Sequence, residues 1–216
     1  MKKYLTIDFD IIVSPSIEVY NNYDGTATEY TSKFDFLGIM PADLEMYAQL
    51  TEFLKNQKGK PIIFMEDHNE IIQKTKGDGP FELINIDHHH DIGYGDNIRW
   101  KHKVIQVDEG NWVHKLWDLE RITKYTWIKD YSSDDAPIQG DKLYISEKHF
   151  FHNIDLSDFN DIEKIFISHS PEWVPEYYEP LYDVWKNLFE AEEEDIAVGF
   201  TVEQQEEAEQ ISFDLI

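Results

Sequence analysis

The sequence predicts an α/β fold, with a mostly parallel sheet flanked by helices in three layers. Two observations carry this expectation. Short apolar, β-rich runs alternate along the chain with segments of helical periodicity, the pattern of parallel strands joined by crossover helices. The first run is nearly continuously apolar, as a central parallel strand buried on both faces should be; an edge strand would alternate. A chain of 216 residues with 41% hydrophobic residues can bury a large core, so residues 1–216 are expected to form a single domain.

Taken in order, "KYLTIDFDIIV" reads as the first strand. "PADLEMYAQLTEFLKNQKGK" reads as a helix with Pro41 at its start, Met46, Leu50, Phe53 and Leu54 on one face, and Gly59 as its stop. "PIIFM" is a strand and "HNEIIQKT" opens a helix. "FELINI" is a strand, and "NWVHKLWDLERI" is helical, with Trp112 and Trp117 expected in the core. "KYTWI" and "KLYIS" read as strands, as does "IEKIFIS". "EPLYDVWKNLFEA" is a helix with Leu181, Val184, Trp185 and Leu188 on one side. Residues 190–216 look like an exposed acidic tail.

Composition narrows the functional classes. A net charge of −25, from 44 acidic against 19 basic residues, repels nucleic-acid backbones and anionic membranes and attracts cationic ligands. No apolar stretch approaches the roughly 18 residues of a membrane helix, and acidic residues interrupt the apolar run of "MKKYLTIDFD", unlike a signal peptide. The chain has no cysteine, hence no disulfide and no thiolate ligand, which suits a reducing cytoplasm. A cytoplasmic protein without nucleic-acid or membrane partners is expected.

In α/β sheets ligands gather beyond the carboxyl ends of the strands. Here those ends carry Asp8 and Asp10 after "KYLTI", Glu66, Asp67 and His68 after "PIIFM", and "DHHHD" after "FELINI". Ser168, His169, Ser170, Pro171, Glu172 and Trp173 follow "IEKIFI". Side chains alternate in extended chain, so Asp8 and Asp10 share a face, as do Asp87, His89 and Asp91, while His88 and His90 point elsewhere. Taken singly, an Asp-x-Asp is an ordinary solvated strand end, "EDH" is a helix cap, and three histidines make a polar loop. Together, four carboxylates and two imidazoles form a hard, oxygen-rich set that suits manganese, iron or another first-row dication. Four anionic ligands neutralise two dications. His149 and His152 also have ligand-like spacing, but nothing else converges there, and they read as loop histidines.

"IDHHHD" resembles the D-x-H-x-D metal motif of the arginase/agmatinase (ureohydrolase) superfamily, matched by Asp87, His89 and Asp91. "EDH" is similar to that family's histidine-bearing strand end, through His68, and "TIDFDIIVSP" to its S/T-x-D-x-D…P motif, through Thr6, Asp8, Asp10 and Pro15. "EGNWVH" and "SHSPEW" resemble elements of the small peptide-arginase-like branch. The motifs lie between residues 6 and 173, with about twenty positions carrying the match. One departure is plain: in ureohydrolases the D-x-D strand follows the other two motifs, whereas here it opens the chain.

The resemblance implies an arginase-like domain with two divalent metal ions, manganese first. One metal would take His68, Asp87, Asp91 and Asp8, and the other His89, Asp87, Asp8 and Asp10, with Asp87 and Asp8 bridging. It further implies hydrolysis of a guanidino group, converting peptidyl arginine to ornithine and urea. Guanidinium is a resonance-stabilised cation, so water must be activated by the metals to attack it. Glu172 would hold the cation, with Ser170 in the substrate site and Trp173 as a flat wall; His114 would carry a proton to the departing amine. The partner is then an arginine-containing peptide or a small guanidino compound. Two alternatives stand beside this reading: another metal-dependent C–N hydrolase, agmatinase-like or deacetylase-like, and a non-catalytic acidic binding protein.

Overall fold

The computed structural model describes residues 1–13, 42–93, 107–131, 133, 145–171, 173–174 and 176–189. Six strands form one all-parallel sheet flanked by helices: β1 (Lys2–Asp8), β2 (Ile62–Met65), β3 (Phe81–Ile86), β4 (Ile122–Lys129), β5 (Glu147–Phe150) and β6 (Lys164–Ser168), in the order β2-β6-β1-β3-β4-β5. The described helices are α1 (Leu44–Asn56), α2 (Ile71–Lys74), α3 (Trp112–Asp118) and α4 (Glu179–Phe189), with short 3-10 turns between.

β1 lies inside the sheet, as its apolar character predicts. It pairs with β3 on one side and β6 on the other, setting Ile7 against Ile86 and Asp8 against Ser168. Alternation along the strands splits the core into two. Leu5, Ile7, Ile84, Ile86, Ile165 and Ile167 face α1 and α4, whereas Tyr4, Leu83, Tyr125, Trp127 and Phe166 face α2 and α3. Helices on both faces make three layers.

α1 matches its sequence pattern. Met46, Leu50, Phe53 and Leu54 are its buried residues, and Asp43 caps it by accepting the Met46 amide at 2.9 Å. The expected start at Pro41 lies outside the described residues. Gly59, the expected stop, has φ +82°, a conformation that glycine adopts without strain.

Three expectations are corrected. The first strand ends at Asp8, because the Asp8 carboxylate accepts the Asp10 amide at 3.2 Å and turns Phe9–Ile12 into a 3-10 helix. Asp8 and Asp10 are therefore brought together by a turn, not by strand alternation. The strand expected in "KLYIS" is not seen at Ile145 and Ser146 (142–144 lie outside the described residues), and β5 follows at Glu147–Phe150. α4 buries Tyr182, Trp185 and Phe189, while Val184 and Leu188 are exposed. Aromatic rings with polar tips win the inward positions: Trp185 Nε1 donates to Thr51 Oγ1 at 2.7 Å and Tyr182 OH to the Met65 carbonyl at 3.0 Å. Among the described residues, no helix is long and apolar enough to cross a membrane.

Candidate metal centre

The carboxyl ends of β1, β2, β3 and β6 meet at one place, on either side of the central strand. Each contributes a polar residue because the ladder stops there. Asp8 and Asp10 leave β1, His68 opens the 3-10 turn after β2, Asp87 follows β3, and Ser168 ends β6. Asp91 has φ 52° and Ser170 φ 48°. Left-handed backbone at non-glycine residues is costly and gathers at functional sites.

The six predicted ligands converge. His68 Nδ1 stands 3.0 Å from Asp8 Oδ2, 3.3 Å from Asp87 Oδ2 and 3.4 Å from Asp91 Oδ2. His89 Nδ1 stands 2.9 Å from Asp10 Oδ2 and 3.9 Å from Asp87 Oδ1. Two groups, Asp8–His68–Asp87 and Asp10–Asp87–His89, offer ligand atoms within 4.8 Å of one another and can hold a metal ion. Atoms bound about 2 Å from a shared ion are separated by about 3 to 4 Å, so the spacing fits a metal ion. Asp87 is in both groups, one oxygen toward each, and is placed to bridge. Asp8 was expected to bridge as well. Its Oδ1 accepts the Asp10 amide, which leaves Oδ2 for the His68 group.

Neighbouring side chains fix the His68 group. Thr6 Oγ1 is 2.6 Å from His68 Nε2, Ser170 Oγ donates to Asp8 Oδ2 at 2.8 Å, and Asn85 Nδ2 donates to Asp87 Oδ2 at 2.9 Å. Trp112 Nε1 donates to Asp91 Oδ2 at 2.7 Å. Such partners orient metal ligands and set the histidine tautomer. The role of Trp112 goes beyond the core position expected for it, and Asn85 has no signal in the motifs; only its place two residues before Asp87, on the same strand face, pointed to it.

The charges do not balance among the protein groups alone. One imidazole N–H cannot satisfy three carboxylates, and both buried Asp10 oxygens lack a hydrogen-bond partner. Burial, with Asp8 and Asp87 nearby, holds the Asp10 carboxyl well above the ordinary carboxylate range. Burial and the neighbouring Asp87 do the same to Asp91. For His68, burial opposes the charged form but is outweighed by the hydrogen bonds and charges of Asp8 and Asp87, raising its pKa to about 9. Asp87 moves the other way; its burial is outweighed by the His68 contact, and its carboxyl is held below the ordinary range. A metal ion at either group would take the place of these protons, and the residues present fit one.

A pH dependence follows. Asp10, Asp91 and His68 are raised in the folded state, so what they contribute to stability is present at low pH and lost as pH rises through their folded values. Asp87 opposes them, its contribution being lost only in acid. Metal binding displaces the retained protons and so strengthens with pH. The gain in Tm on adding Mn2+ should be larger at pH 8 than at pH 6. Equal gains across that interval in a thermal-shift series would contradict this.

The other predicted residues are placed as follows. Trp173 packs beside the site, its ring centroid 4.8 Å from that of His89. Ser170 is buried behind Asp8, bonded to it and to Ser168. His114, expected as the proton carrier, is buried on α3, and its Nε2 lies 3.8 Å from Asp118 Oδ1. His88 and His90 do point elsewhere. His88 Nδ1 is 3.4 Å from Asp130 Oδ1, and His90 packs on Trp127, where burial and the nearby His89 lower its pKa to about 4. His149 sits on β5, and His152 stacks on Tyr131. Glu172, Pro15 and the acidic segment 190–216 lie outside the described residues. Comparison with family models, with curated proteins and with solved structures found no match.

Proposed function

We propose that this protein is a binuclear-metal hydrolase of guanidino groups, acting on peptidyl arginine to give ornithine and urea, with two divalent cations, manganese first, as in two-metal hydrolytic sites. One observation carries the reading: five carboxylate and imidazole side chains from three strand ends form two groups that share Asp87, and Asp91 joins the first through His68. When bound, the pair of cations supplies the Lewis acidity that makes water nucleophilic at neutral pH. The chain's own residues do the rest. Asp8, Asp10, His68, Asp87, His89 and Asp91 hold the cations, and Thr6, Asn85, Trp112 and Ser170 hold those ligands in place.

The guanidino preference rests on the motif resemblance, and two features support it. Trp173, beside His89, offers an aromatic face of the kind that receives a planar cation. The net charge of −25 draws cationic chains toward the protein. Glu172 is the proposed anchor for the substrate cation. Water oxygen bonds to the guanidinium carbon, the bond from that carbon to the side-chain nitrogen breaks, and both water protons pass to that nitrogen, so that ornithine leaves as its ammonium form and the carbon leaves as urea.

The test is urea release by the Mn2+-loaded chain from an arginine-containing peptide, with free arginine, agmatine and an acetyl-lysine peptide in parallel. Urea from the peptide is the expected result. Acetate from the last substrate, or no turnover on any despite two bound metals, would overturn the guanidino assignment. Glu172→Gln should lose most turnover with metal content unchanged, since it removes a cation partner and no metal ligand. Full activity in that variant would clear Glu172 of the role.

A further inference from the structure

We propose that three rings at the carboxyl ends of β4 and β5, those of Tyr131, Phe150 and His152, form a shelf that binds an aromatic side chain of the peptide substrate, two or three residues from the target arginine. This deepens the peptidyl-arginine reading and takes its occupant from it.

The shelf is built where the two strands end. β5 pairs with β4 so that Phe150 stands against Lys129, and Tyr131 and His152 follow two residues further along each chain. The Tyr131 ring lies 4.9 Å from that of Phe150, inclined at 22°, and 5.4 Å from that of His152, inclined at 9°. Both neighbours are held in turn. The buried Lys129 ammonium stands 4.8 Å from the Phe150 ring centroid, an attractive cation–π contact. His152 Nε2 is 3.8 Å from Asp43 Oδ2, at the start of α1. Tyr131 itself is 66% exposed. Single apolar residues in water are ordinary, but a ring already stacked on two others offers ordered contact area. A ligand ring gains stacking there without the cost of fixing a loose side chain.

Position and charge choose the occupant. The shelf lies on the same carboxyl edge as the metal ligands, two strands from Asp87. Trp127, two residues before Lys129, donates Nε1 to the Asp87 carbonyl at 2.9 Å and so joins the two places. Strands about 4.8 Å apart place β5 about 10 Å from β3, and an extended chain covers about 3.4 Å per residue. A peptide with its arginine at the metals therefore brings residues two or three positions away to the rings. A second copy of the chain fits less well. Two molecules of net charge −25 repel each other, and three rings fall far short of the roughly 1,000 Å² of a stable interface. The same charge draws in an arginine-bearing peptide.

The experiment measures binding of heptapeptides with a central arginine to the Mn2+-loaded full chain by fluorescence anisotropy, with urea release followed separately. Each peptide carries one phenylalanine among alanines. Phenylalanine two or three positions from the arginine should tighten binding by about 3- to 10-fold over the peptide without it, the worth of one aromatic pair. Tyr131→Ala should erase that gain and Tyr131→Phe should keep it, both variants melting close to the unaltered chain because the side chain is exposed. No preference at any position, a preference that survives Tyr131→Ala, or no peptide binding at all would overturn the shelf. Urea from every peptide without a preference would overturn it too and leave the guanidino reading standing. A Tyr131-dependent preference without urea would keep the shelf and overturn the guanidino reading.

Discussion

Asp87→Ala should remove both cations at once and abolish urea release, an effect no other single ligand substitution should match. Asp87 alone stands in both ligand groups, with Oδ2 3.3 Å from His68 Nδ1 and Oδ1 3.9 Å from His89 Nδ1. Losing a ligand shared by two ions should cost each more than the roughly 10- to 100-fold attached to an outer partner. The variant should still fold. The Asp87 backbone keeps its bonds, donating to the Ile128 carbonyl and accepting Trp127 Nε1, because neither involves the side chain. Two donors, Asn85 Nδ2 and the His89 amide, lose their acceptor, at about 1–3 kcal/mol for each group left unpaired. Relief of repulsion on Asp10 and Asp91 offsets part of that. Metal counting and a thermal melt on the same sample decide the matter; retention of one tightly held ion would show that Asp87 does not bridge.

How much of this was legible in the sequence differs from residue to residue. The sheet and its central first strand were legible because burial on both faces leaves a mark, a mostly apolar run in "KYLTI" and in "FELINI". The six ligands were legible because ligands in parallel sheets gather past the carboxyl ends of the strands, and aspartates and histidines stand at three such ends. What escaped was set by partners far away in sequence. The indole of Trp112 reaches Asp91 across 21 residues, and a core tryptophan with a buried N–H looks the same in a sequence whatever its acceptor. On α4 Trp185 goes inward as expected, but Tyr182 was missed because aliphatic spacing was weighed above aromatic size; it goes inward because the Met65 carbonyl can accept its polar tip. The turn at Asp8 was missed because the apolar residues Phe9, Ile11 and Ile12 extend the strand pattern, while a single carboxylate–amide bond ends the strand.

His68→Ala should be the most destabilising of the ligand substitutions in the metal-free protein, and its effect should depend on pH. His68 is 1% exposed, and among the described ion pairs its imidazole alone is in contact with all three of Asp8, Asp87 and Asp91. Removing one partner from a buried charge cluster costs about 3–5 kcal/mol, because the remaining charges stay out of water without compensation. In a chain of 216 residues each kcal/mol moves Tm by about 2–4 °C, so a fall of about 6–20 °C is expected. The sign with pH follows from the raised folded-state value. The stabilisation from protonated His68 is fully present below its unfolded pKa of about 6.5 and disappears as pH rises through about 9. The deficit of the variant should therefore be largest near pH 6 and shrink toward pH 10, where the unaltered protein has lost the same charge. Mn2+ should widen the gap again at high pH, because only the unaltered protein keeps the Asp8–His68–Asp87 ligand group whole. A Tm difference that stays constant from pH 6 to pH 10 without metal would mean that His68 supports the fold by packing alone, and that its proton plays no part in holding the carboxylates together.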